Sequence, residues 1–281
     1  MTIRPGTLYL IPCTLGDIPA GQVLPQHVID IARKLRHFVV EQPKAARQFL
    51  AALKPEHPIQ SLHFATLNEH TAPGDLAELL APLLAGHDVG ILSEAGCPGI
   101  ADPGADLVNL AHRNGIRVVP LIGPSSILLA LMASGLNGQR FAFHGYLPIE
   151  EAERSKAIAA LETESAKRKQ TQLFIETPYR NEKLFGALLA HCRPQTLLCI
   201  ATDLTLPGES IRTRSIAQWK SQPMPQLNKR PSLFLLLAPT KQPPAKAGGF
   251  ELRTESPDTR RLNDASYSGS ILKSSFGLGS K

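Results

Sequence analysis

Residues 93–104 read SEAGCPGIADPG, three glycines and two prolines within twelve residues. An apolar run over 88–93 precedes them and an amphipathic run over 103–114 follows, so the segment is a strand-to-helix turn. Glycines at this density build a tight loop whose backbone can approach a ligand closely. In open α/β sheets, ligands bind at the carboxyl ends of strands, where this loop lies. It carries two carboxylates. Asp102, directly before Pro103, reads first as a helix N-cap with Pro at the first helical position, and second as a ligand contact. Glu94 has no such local task, which leaves a functional carboxylate and a solvated one as equal readings.

Outward from this loop, short aliphatic runs alternate with longer amphipathic ones. Strands are predicted over 7–13, 37–41, 62–66, 88–93 and 116–121, with helices over 23–35, 45–53, 74–85 and 103–114. This rhythm calls for a mostly parallel sheet covered on both faces. A second set begins near Gly123. It has helices over 125–134, 150–166 and 180–191, and strands over 140–144, 172–176, 196–202, 210–213 and 232–238, the last in antiparallel pairing. Gly208-Glu209 marks a hairpin. The expected organisation is α/β, with an amino-terminal domain over 1–122, a carboxyl-terminal domain over 123–239 and a flexible tail over 240–281, where apolar periodicity stops.

Two further loops resemble the central one in position. PLIGPSS (120–126) closes the fifth strand and opens a helix. Ser125 and Ser126 either cap that helix or grip a polar ligand at its positive end, and capping accounts for only one of them. TLYLIPCTLGD (7–17) is another strand exit, with Pro12 and Gly16. Several chemistries are excluded by what is missing. The chain has no GxGxxG after a strand, no GxxxxGK[ST], no HExxH, no Cys/His cluster and no GxSxG.

The 281 residues carry 43% hydrophobic and 19% charged side chains, ordinary for a globular enzyme and against wholesale disorder. The greasiest stretch, 116–136, is broken by Arg117, Pro120, Gly123 and Pro124, so no membrane span is expected. The amino terminus carries one early Arg and a short apolar run ending at Pro12, too short for a signal peptide. Four cysteines without a CxxC pair suit a reducing cytoplasm. The net charge of +6 suggests an anionic partner only weakly. Residues 240–281 hold seven Lys or Arg against four Asp or Glu, so half of that excess lies in the tail.

Taken in order, the loops resemble the tetrapyrrole methylase superfamily of S-adenosylmethionine-dependent methyltransferases. Within it the chain is similar to the bacterial 16S rRNA 2′-O-ribose methyltransferase I group and to a sister group of it. The likeness covers about residues 6–238. It rests on GTLYLIPCTLGD, SEAGCPGIADPG, GIRVVPLIGPSS, ASGLNGQRFAFHGYLP, QTQLFIETPYRN and KRPSLFLLLAP. The resemblance implies two α/β domains with S-adenosylmethionine in the cleft between them, and a cytoplasmic homodimer acting on rRNA. On matching positions the cofactor pocket includes Ser93, Ala95, Gly96, Gly123, Pro124, Ser125 and Ser126. Pro12 and Leu15 join from the first loop, Thr177 and Tyr179 from IETPYR, with Glu176 beside them. Three departures bear on the substrate. EQPK stands at 41–44 where the rRNA enzymes carry EDTR, CTLGDI stands for a TPIGNL-like sequence, and Glu94 stands where aspartate is usual.

Methyl transfer from a sulfonium is an in-line displacement, so positioning dominates and no metal is required. A ribose hydroxyl needs a base within reach. Glu94 is the first candidate, Glu176 the second and Glu41 the third; each is alternatively a structural partner of Arg47 or Arg180. Lys167-Arg168-Lys169 and Asn228-Lys229-Arg230 are candidate phosphate contacts, or simply solvated charge. The rival activities are methylation of a small molecule or tetrapyrrole, and cofactor binding without catalysis.

Overall fold

The computed structural model describes residues 4–68, 71 and 74–240. The tail assigned to 240–281 therefore lies, beyond Thr240, outside the described residues.

The first sheet contains β1 (Thr7–Ile11), β2 (His37–Val40), β3 (His63–Thr66), β4 (Val89–Leu92) and β5 (Arg117–Pro120), in the order β3-β2-β4-β1-β5. All of its pairings are parallel. β4, in the middle, is buried along its whole length, as expected of a strand covered on both faces. One face packs on α1 (Gln26–Lys34) and α2 (Pro43–Leu53) through Val28, Ala32, Leu50 and Phe38. The other packs on Leu79, Leu83, Leu107 and Ala111.

Two helices differ from expectation for local reasons. The run over 74–85 is broken into α3 (Leu76–Leu79) and α4 (Ala81–Leu84). Pro82 has no N–H to continue an α-helical ladder from the preceding turn. α5 (Ala105–Arg113) begins two residues after Pro103. Gly104, at φ 140°, is its N-cap, and the first helical bond runs from Val108 N–H to the Gly104 carbonyl. Asp102 is therefore not the cap of this helix; the chain is still turning where it sits.

The second sheet contains β6 (Phe141–Tyr146), β7 (Thr171–Ile175), β8 (Leu197–Thr202), β9 (Ser210–Ser215) and β10 (Ser232–Leu237), in the order β6-β7-β10-β8-β9. β6 and β7 are parallel, whereas β10 inserts antiparallel to both β7 and β8. α6 (Ser126–Ser134) belongs to one face, with Ala130 and Leu131 against Leu173, Cys199 and Leu235. The opposite face carries α7 (Glu151–Arg168), α8 (Asn181–His191) and α9 (Ile216–Lys220) over Phe174, Phe234 and Leu198. α9 falls in a stretch with no predicted element. Its signal is legible all the same, because Ser215 and Gln218 form a reciprocal capping box.

Candidate functional site

The strand order places the exits of β4, β1 and β5 side by side. The chain leaves β1 toward one edge of the sheet and leaves β4 toward the other, so a crevice opens at their carboxyl ends. Three loops meet there. The Cys13 N–H donates to the Gly96 carbonyl at 2.8 Å, and the Gly96 N–H returns a bond to the Cys13 carbonyl at 3.3 Å. Ser93 Oγ donates to the Gly96 carbonyl at 3.1 Å, and the Cys97 thiol to the Pro124 carbonyl at 3.5 Å.

Backbone geometry explains the glycines. All three in the central loop, Gly96, Gly99 and Gly104, have positive φ, and Ala101 between them does too. Gly123 serves a different need. A Cβ there would lie 2.3 Å from Pro12 Cβ, so the first and third loops touch only because it is absent. Pro12, Ser93, Gly96, Gly123 and Pro124 are thus brought together as a single scaffold.

The scaffold borders a cavity of about 280 Å³. Leu15, Ala95 and Ser126 line it from the loop side, with Ile175, Glu176 and Leu233 among the residues facing them from the second sheet. The two serines divide the roles left open above. Ser125 Oγ accepts from the Leu128 N–H at 3.5 Å as the cap of α6, whereas Ser126, at the start of the same helix, faces the cavity. Thr177 lies next to the cavity through its backbone, donating its N–H to Glu176 Oε1 at 2.6 Å. Tyr179 is 75% exposed and not part of the cavity wall. Tyr146, Leu204 and Ser232 do line it. Tyr146 and Ser232 lie within ASGLNGQRFAFHGYLP and KRPSLFLLLAP, although neither is among the expected pocket residues, and the packing of the second sheet against the loops brings them, with Leu204, to the cavity. A larger, mostly apolar cavity of about 610 Å³ lies on the α5 side, with Pro12, Cys97 and Ile100 in its wall.

The carboxylates differ sharply. Glu176 is 6% exposed and held by Arg180, whose Nε donates to Oε1 at 2.9 Å and whose Nη2 lies 2.7 Å from the same atom. This bond raises the Arg180 guanidinium pKa above its ordinary value. Glu94 is exposed at the crevice, and Glu41 is half-buried at the exit of β2. Asp102 shares a small pocket with Glu41 and Ser93, and its carboxyl pKa is pushed up to about 6. Burial is the main cause; the charges of Glu41 and Glu94 add to it. Burial, with Asp102 nearby, also pushes the Cys13 thiol up to about 12, which makes it a packing group rather than a nucleophile. Among the described residues, no group of three His, Cys, Asp or Glu side chains is placed to hold a metal ion. No helix among them is long and apolar enough to cross a membrane.

The candidate phosphate contacts separate as well. Arg230 is engaged through each of its three nitrogens: Nε donates to Asp203 Oδ2 at 2.7 Å, Nη1 to the Gln226 carbonyl and Nη2 to the Gly208 carbonyl. Arg168 pairs with Glu164, while Lys167 and Lys169 stand exposed at the end of α7.

Comparison with known proteins matches residues 24–219 to the family model described as tetrapyrrole (corrin/porphyrin) methylases. A Xylella fastidiosa protein named ribosomal RNA small subunit methyltransferase I is 31% identical over 234 residues, 83% of this chain and 81% of that one. The protein of the same name from Bacillus subtilis is 31% identical over 213 residues, 76% of this chain and 68% of its own. Among solved structures, the methyltransferase CobJ superposes with a TM-score of 0.56 at 16% identity, covering 83% of this chain and 94% of CobJ.

Proposed function

The chain belongs to the tetrapyrrole methylase family, and from this premise we propose that it transfers a methyl group from S-adenosylmethionine to RNA, at a ribose 2′-hydroxyl of small-subunit ribosomal RNA. The observation that carries the reading is the locked meeting of three loops beside a cavity that the second sheet completes. The relatives' names support the substrate class.

The residues present fit the cofactor. Gly96 and Gly123 leave backbone open to close approach. Ser126 offers a hydroxyl at the amino end of α6, where an anionic group is favoured, and Ile175 and Leu233 supply an apolar wall. We assign Pro12, Leu15, Ser93, Ala95, Gly96, Gly123, Pro124, Ser125, Ser126 and Thr177 to holding or shaping this pocket, with Tyr179 at its outer margin. When bound, S-adenosylmethionine supplies an activated methyl carbon. The chain's own task is to fix the acceptor oxygen in line with that carbon and to take its proton. Glu94, exposed at the crevice beside Asp102, is the first candidate for the proton. Glu176, neutralised by Arg180, acts chiefly as an orienting group.

A homodimer in the cytoplasm completes the reading. Between Ser126 and Ser134 α6 is apolar, and Leu128 and Met132, one turn apart, are 51% and 80% exposed. Such a stripe on a surface helix suits a protein partner. Incubating the protein with labelled S-adenosylmethionine and RNA from a strain lacking the gene tests the activity. Label confined to alkali-resistant dinucleotides is the expected result. Tight cofactor binding with no incorporation into any RNA, small-molecule or protein fraction overturns it.

A further inference from the structure

Another cavity, of about 300 Å³, lies at the same end of the second sheet as the cleft but on the face that carries α9. Ile200, Thr202 and Trp219 are among its walls, with Arg212 and Ser210 contributed by edge strand β9. The second sheet itself separates it from the cleft, for Ile200 faces this cavity while Ala201, next along β8, faces the cleft. Thr202 belongs to this cavity and Ser232 to the cleft, they are register partners, and their hydroxyls lie 3.2 Å apart.

The walls are fixed by charge. Arg230 ties the segment after α9 to the β8–β9 connection through Asp203, the Gly208 carbonyl and the Gln226 carbonyl, so its charge is neutralised by Asp203 and three of its five N–H donors are spent. Arg214 is spent in a similar way, with its guanidinium over the Trp219 ring at 5.3 Å. Arg212 is different. It is exposed, and its guanidinium makes no hydrogen bond or ion pair among the described residues. A free guanidinium in a cavity that also holds the Ser210 hydroxyl, with Asp203 paired to Arg230 and the Glu209 carboxylate accepting from the Thr205 N–H, matches a phosphodiester. The volume is at the lower end of ligand pockets, suited to one nucleotide rather than a large cofactor.

We propose that this cavity is a second subsite for the RNA, in which Arg212 holds a phosphate of the strand where it passes round the end of the second sheet from the nucleotide whose ribose enters the cleft. The inference rests on the RNA reading above and adds to it the place where the strand is gripped. In it, Arg212 positions the RNA and takes no part in the methyl transfer.

The test measures binding of small-subunit rRNA transcribed in vitro to the full chain, to Arg212→Ala and to Arg212→Lys, over a series of salt concentrations. Loss of one phosphate contact should weaken Arg212→Ala about tenfold and reduce the slope of log affinity against log salt by about 0.7–0.9. Arg212→Lys should keep the slope, and cofactor binding by calorimetry should be the same in all three proteins. Arg212 is exposed and unpaired, so an unchanged thermal midpoint is expected and checks that the fold is intact. Equal RNA affinity and slope in Arg212→Ala, with methyl transfer to RNA present in the parent, overturns the subsite alone. Absence of RNA binding and of RNA methylation in the parent overturns both the subsite and the substrate reading. Adenosine 5′-monophosphate serves as a second probe. If it binds the parent and not Arg212→Ala while RNA affinity is unmoved, the cavity is a free-nucleotide site and the RNA assignment falls.

Discussion

Asp102 shows how much a single side chain depends on its surroundings. Its position before Pro103 suggests a capping carboxylate, yet in the folded chain it lies between Glu41 and Glu94 with its carboxyl pKa raised to about 6. The sign of the linkage follows. A carboxyl whose folded pKa exceeds its unfolded value, about 3.9, binds protons better when folded, so it costs stability as pH rises from about 4 to about 6. Asp102→Asn removes that cost. Half-exposed as Asp102 is, solvent screening reduces the gain to about 1 kcal/mol. The variant should melt roughly 2–4 °C higher at pH 7–8, with the difference gone near pH 4. Equal midpoints for the two proteins at pH 8 would contradict the raised carboxyl.

At the scale of elements, the site depends on loops held at fixed distances by strands and helix starts. Gly123 against Pro12 is the tightest of these contacts. Gly123→Ala should push the first and third loops apart and raise the calorimetric Kd for S-adenosylmethionine at least about tenfold, that is about 1.4 kcal/mol. An unchanged Kd would mean that the loop contact does not shape the pocket. α9 offers a contrast remote from the loops. Ser215→Ala deletes one half of the capping box and should cost about 1 kcal/mol in denaturant unfolding, with cofactor affinity intact. If cofactor binding fell in step, α9 would be coupled to the cleft rather than merely stabilising the second sheet.

For the whole molecule, the exposed stripe on α6 is the feature that solvent contact least explains. Met132→Glu, alone or with Leu128→Glu, places charge on that stripe without entering the core. Sedimentation velocity should show the parent as a dimer and the double variant as a monomer with an unchanged circular-dichroism spectrum. A parent that sediments as a monomer, or a double variant that stays dimeric, removes α6 from the interface.

The βαβ rhythm, the two sets of strands and the three glycine–proline loops were legible in the chain because they depend on local patterns: apolar period, turn chemistry and the left-handed φ values that Gly96, Gly99 and Gly104 adopt. The capping box of α9 was equally local, and a search for Ser-x-x-Gln would have found it. Helix edges were less legible, since Gly104 and Pro82 act through backbone details that periodicity does not carry. Other properties had no local signature. The order β3-β2-β4-β1-β5 makes neighbours of loops about 80 residues apart, and the antiparallel insertion of β10 sets Ser232 against Thr202. Whether an acid is free or spent was likewise settled in three dimensions. Glu176 meets Arg180, Arg230 meets Asp203, and Arg212 meets neither. The sequence by itself determined which loops exist and what they are made of. Tertiary structure alone decided which of their groups converge and which keep a free charge, because desolvation and ion pairing depend on distances through space and not along the chain.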